Sequence, residues 1–119
     1  MLWHVLHEGV LRHVVGSPAI MRAQLDKLAE LAHEPGMVIQ VLPYAASDHP
    51  GTDGPILVYD FDGAPPVAYT ECNGGGRIVE SPNEVGDLMM IVNMIRAAAL
   101  PRRESTSLIL KIRGEMVDV

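Results

Sequence analysis

An α+β fold is predicted: a small, mostly antiparallel sheet packed by one helix from the N-terminal half and two from the C-terminal end. Three observations carry this. Short runs rich in β-branched and aromatic residues, bounded by Pro and Gly, fill the middle of the chain. Helical periodicity with start and stop signals marks residues 17–36 and 81–116. No internal repeat and no long linker divides the 119 residues, so one domain over 1–119 is expected.

The elements follow in order. "LWHVLH" (2–7) alternates loosely and reads as a strand. "EGVLRHVVG" (8–16) is compatible with a turn or a short helix. Ser17-Pro18 is a helix start, an N-cap followed by Pro at the first helical position. Met21, Leu25, Leu28 and Ala32 then recur on one helical stripe, and Pro35-Gly36 ends it. "MVIQVL" (37–42), "PILVYDF" (55–61) and "PVAYTE" (66–71) read as strands, with Asp62-Gly63 as a hairpin connection. In the second of these, Leu57, Tyr59 and Phe61 alternate with Ile56, Val58 and Asp60, which predicts cover on both faces. "CNGGGR" (72–77) reads as a flexible turn. No Gly-Lys-Ser/Thr follows it and no helix opens directly from it, so a phosphate cradle is not expected.

Ser81-Pro82-Asn83-Glu84 combines a capping box with Pro at the first helical position. The helix it opens is apolar around most of its circumference, which predicts burial from more than one direction. Its main stripe runs through Val85, Leu88, Val92 and Ile95. Met90, Ile91 and Met94 extend beyond that stripe and are the expected interface of a homodimer. Pro101 breaks the helix, and a last one resumes with Leu108, Ile109, Ile112 and Met116 on one side.

Composition excludes several classes. At 48% apolar content the chain is no disordered tail, and nothing approaches the roughly 18 uninterrupted apolar residues of a membrane span. No secretory signal is visible and the single Cys72 forms no internal disulfide, so a reducing cytoplasm is expected. Net charge is −6, and no Lys or Arg occurs from Leu28 to Gly76. Duplex binding draws its affinity from neutralised phosphates, so direct nucleic-acid contact by this chain is not expected.

Chemistry-bearing residues are sparse. His49, Asp53 and Glu71 would converge if the loop "HPGTDGP" (49–55) folded over the strand ending at Glu71. In an alternative reading as a small enzyme of specialised metabolism, Glu8, His49 and Glu71 are the expected acid–base groups, and in another the chain is a dimerisation or interaction domain only. The simpler reading, and the one favoured, is that Asp53-Gly54 makes a turn, His49 lies in solvent and Glu71 ends a strand. His4 and His7 fall on opposite faces of their strand and cannot grip one metal. Cys72 lies beside Glu71 and Asn73, which do not favour a thiolate, and Ser105 and Ser107 sit in a helix rather than a nucleophile elbow. No catalytic residue, metal site or cofactor is expected.

Several pieces together match a known pattern. "LDKLAELAHEPGMVIQVLPYAASDHPGTDGPILVYDF", "VAYTE", "GGGRIVESPNEV" and "IRAAALPRRES" resemble the C-terminal effector domain, long classed as of unknown function, of actinobacterial helix-turn-helix regulators of the XRE type and WhiJ kind. Val41-Leu42-Pro43, His49-Pro50-Gly51, Gly54-Pro55, Tyr69 with Glu71, and Ala98-Ala99-Leu100 are its most specific parts. Glu8 with Val10-Leu11-Arg12 resembles the segment after the family's first strand. Ile56 stands where an aromatic is usual, and Leu100-Pro101 lacks the usual polar cap. The resemblance implies a sensor or partner-binding module controlling an attached DNA-binding domain, antitoxin-like in some arrangements. Glu8, Arg12, His49, Tyr69 and Glu71 are then the expected binding residues, for a small molecule or a small protein. The helix-turn-helix itself is missing, and a chain opening inside a strand is expected to be the second half of such a regulator.

Overall fold

The structure, a computed structural model, describes residues 1–51, 54–72 and 74–117, and of Cys72 it describes the backbone. Asp53 and the Cys72 thiol therefore lie outside the described residues. The fold is α+β, and its strands divide between two sheets. Among the described residues nine elements follow one another: β1 (Leu2–His7), α1 (Glu8–Arg12), α2 (Pro18–Leu31), β2 (Met37–Leu42), β3 (Ile56–Phe61), β4 (Ala64–Cys72), β5 (Gly75–Val79), α3 (Pro82–Ala98) and α4 (Arg102–Glu115). They form two compact units: unit 1 spans Met1–Ser47 and Ala98–Val119, and unit 2 spans Asp48–Ala97.

In unit 1, β1 and β2 pair in parallel, from Leu2 opposite Met37 to His7 opposite Leu42. Parallel neighbours need a long crossover, which α1 and α2 supply. The α2 start is as the sequence predicts, with the Ser17 hydroxyl accepting from the Ile20 N–H at 3.2 Å. The core joins Leu11, Met21, Leu25, Ile39, Val41, Ile109 and Ile112. Thus α4 turns its apolar side to β2 and α2. Ion pairing of Arg113 with Asp26 (3.0 Å) and an Arg22 bond to the Met116 carbonyl (2.7 Å) hold the two helices together.

An isolated two-stranded sheet leaves both edges open. On β2 the edge facing away from β1 is closed by the turn before α4. The Val41 carbonyl accepts from the Leu100 N–H at 2.9 Å, and the Val41 N–H donates to the Ser105 hydroxyl, also at 2.9 Å. Ser105 in turn donates to the Leu100 carbonyl (3.0 Å), which also receives the Gln40 amide (3.0 Å). Trp3 Nε1 donates to the other end of that amide at 2.7 Å. Ser105, read from the sequence as chemically idle, is fully buried and structural.

In unit 2, β3, β4 and β5 form an antiparallel sheet in that order. The β3–β4 connection turns through Asp62-Gly63, with Gly63 at φ 76°. Registers place Val58, Ala68 and Val79 in one row, and these pack with Val85 and Leu88 of α3. Three expectations are corrected here. Residues 75–77, read as turn, begin β5. The expected cover on both faces of β3 is absent, since Leu57, Tyr59 and Phe61 are exposed. Finally, α3 is not buried from several directions: Val85 is its one buried residue, and Ile91, Val92 and Ile95 are only half-buried. High apolarity was a poor guide to cover because a single sheet face meets only one stripe of the helix.

Ser105→Ala would leave the buried Val41 N–H without an acceptor. Denaturant unfolding should show a loss of about 1–3 kcal/mol, the cost of a buried unsatisfied donor. A variant as stable as the parent would show that the edge is closed some other way.

Candidate functional site

The residues singled out in the sequence divide between the two units. In unit 1, Glu8 begins α1 directly after β1. His7 caps that helix, its Nδ1 accepting from the Gly9 N–H at 3.0 Å, and its ring meets Tyr44 edge-on at 5.6 Å between centroids. Glu8 is only 8% exposed. One carboxylate oxygen accepts from the Tyr44 backbone N–H (2.9 Å), the other from Arg12 Nε (2.7 Å). Arg12 also binds Glu115 at the end of α4 (2.6 Å). The Tyr44 N–H holds the Glu8 carboxyl below its ordinary value, burial opposes this, and Arg12 adds to the lowering. Bonds to Glu8 and then Glu115 push Arg12 up. A carboxylate occupied on both oxygens and held ionised is poorly suited to carry protons near neutrality. Its geometry is that of a clamp tying α1 to the residue 43–47 turn and to α4.

In unit 2, the Tyr69 hydroxyl donates to Glu71 at 3.3 Å, and the neighbouring Glu71 charge, then burial, raise the phenol's pKa. Tyr69 lies across Gly76 of the adjacent strand, where an added Cβ would overlap the phenol. His49 is half-buried and its Nδ1 accepts from the Gly51 N–H at 3.2 Å, so the imidazole braces its own turn. Among the described residues no group of three His, Cys, Asp or Glu side chains could share a metal ion. Met90 is 62% and Met94 45% exposed on α3, with Ile91 half-buried.

One concavity in unit 1 is lined by Arg12's neighbours in sequence and by none of the predicted residues. A groove of about 400 Å³ runs between α1 and α2. Leu6, Leu11, Met21 and Leu25 form its floor, while Val10, Val15 and Ile20 stand exposed along it. His13 and Gln24 are its polar side chains. Gly16, at φ 82°, lets the chain double back so closely that an added Cβ would press on Ile20 at 2.9 Å. The only sequence signal near this groove was the segment 8–16, whose short length left turn and helix both open.

Residues 1–111 match the family described as Domain of unknown function (DUF5753). The chain belongs to this family. No curated protein and no solved structure matches it. Within this DUF5753 chain, no helix among the described residues is long and apolar enough to cross a membrane.

The Glu8 clamp has a pH signature. A carboxyl held below its ordinary value of 4.5 contributes stability that is full above that value and is lost as pH falls through the lower, folded one. Glu8→Gln should cost roughly 1–3 kcal/mol at neutral pH, the scale of hydrogen bonds to a charged group. The gap between variant and parent should narrow as pH falls below about 4.5. Urea midpoints across that range measure it, and a gap independent of pH would remove Glu8 from the acid response.

Proposed function

We propose that this DUF5753 chain is a regulatory binding module, whose occupancy by a small molecule or a small protein controls an attached helix-turn-helix DNA-binding domain. The apolar groove of unit 1 carries this reading. Binding sites for small ligands are mostly apolar concavities of about 300–1,000 Å³ with few polar groups fixing orientation, and the groove has that character, with His13 and Gln24 as its polar pair. The sequence resemblance described above supports the regulatory role, including an actinobacterial, antitoxin-like setting. A chain of net charge −6 leaves contact with DNA to the attached domain. A cytoplasmic location suits such a role.

Native mass spectrometry of the chain purified from its own host tests this. A bound small molecule or small protein is expected. Val10→Trp, which fills the groove from an exposed wall position, should abolish that species while changing stability by no more than about 1 kcal/mol. A bare chain, or a bound species untouched by Val10→Trp, would overturn the assignment.

Self-association through α3 is favoured by a separate observation, the exposure of Met90 and Met94 on a helix whose other large apolar side chains are buried or half-buried. Two-fold dimers suit regulators that read paired half-sites. Sedimentation should show a dimer at micromolar concentration that Met94→Glu weakens, with circular dichroism unchanged. A monomer up to a few hundred micromolar removes this contact.

A further inference from the structure

A second apolar surface lies in unit 2, on the face of the β3–β4–β5 sheet opposite α3. The registers place Leu57, Tyr69 and Ile78 in one row across the three strands, with Tyr59 beside Val67 in the next. Ile78 is 65% and Tyr59 50% exposed. Between them runs a shallow groove of about 350 Å³. Contiguous large apolar side chains of this kind mark an interaction surface.

Charge selects what covers it. Unit 2 carries eight carboxylates and two arginines, while unit 1 has seven acidic and seven basic residues, so the chain's net charge of −6 resides wholly in unit 2. Arg77 is already engaged by Glu84 at 3.0 Å. Glu71 stands on the apolar face itself, in alternation with Tyr69 and Val67 and fixed by the Tyr69 hydroxyl. A second copy laid on this face would oppose like charges; a basic partner would not.

Dimensions select its shape. Three strands at about 4.8 Å spacing place the outer two about 10 Å apart, the width of one α-helix. The six residues of β3 run for about 20 Å, matched by about 13 helical residues. We propose that this face docks a basic amphipathic α-helix of a partner protein, its apolar stripe on Leu57, Tyr59 and Ile78 and its Lys or Arg side chains against Glu71. The site is independent of the unit 1 groove.

Two fluorescein-labelled designed helical peptides of about 18 residues test it, sharing one Leu stripe and flanked by either Lys or Glu. They are titrated with the full chain by fluorescence anisotropy at about 0.15 M salt. The Lys peptide should bind with a Kd of tens of micromolar and the Glu peptide at least roughly tenfold more weakly. Glu71→Lys should erase that preference. Ile78→Ser, at an exposed position, should weaken the Lys peptide roughly tenfold with the far-ultraviolet circular dichroism unchanged. Val10→Trp should leave peptide binding intact, which separates this site from the groove. Equal binding of the two peptides, or indifference to Ile78→Ser, would overturn the proposal. So would a dimer, or binding to anionic phospholipid vesicles, that Ile78→Ser abolishes.

Discussion

Unit 1 depends on closing one backbone edge. Val41 presents both its N–H and its carbonyl away from β1, and in a two-stranded sheet nothing else in register can meet them. The Leu100 backbone takes the carbonyl and the Ser105 hydroxyl takes the N–H. That requirement places Pro101 and the first turn of α4 against β2, and Ile109 and Ile112 then fall into the core beside Leu25. The α4 terminus arrives where Glu115 reaches Arg12, and through it Glu8. A polar constraint thus sets the geometry, and apolar burial supplies the energy.

Parts of this were legible in the sequence and parts were not. The α2 start was, because Ser17-Pro18 is a strong local signal, whereas the helix ends at Leu31, short of the stop read at Pro35-Gly36. β1 and β2 were also read at their observed limits. β5 was not: its glycines at 75 and 76 look like turn residues, yet Gly76 is a strand residue made small by the Tyr69 ring lying over it. The Ser81–Glu84 signal located the start of α3, although Glu84 is drawn into an ion pair with Arg77. Arg12 was singled out by resemblance alone, and Glu8 by resemblance and as an acid–base candidate. Their i,i+4 spacing put them in contact only once residues 8–12 proved helical. Ser105 was invisible, because nothing local tells a buried serine bonded to a strand 64 positions away from one on a helix surface.

The two units differ in character. Unit 1 is electrically balanced, has the larger core, and carries an apolar concavity. Unit 2 holds the net charge around a core of Ala68, Val79 and Val85 and leaves aromatic and aliphatic side chains outside. A regulatory module able to meet two chemically distinct partners would have this division.

Unit 2 is also an insertion in the thread of the chain, since unit 1 is left at Ser47 and resumed at Ala98. During synthesis, β2 emerges well before the segment that closes its edge, and its Val41 groups stay hydrated until Leu100 and Ser105 follow. Bringing ends 64 residues apart together as flexible chain costs on the order of 4 kcal/mol beyond a constant. Local pairing of the hairpins within the insertion would shorten the free chain that closure has to span. The edge that unit 1 depends on can thus be closed only after the whole of unit 2 has been synthesised.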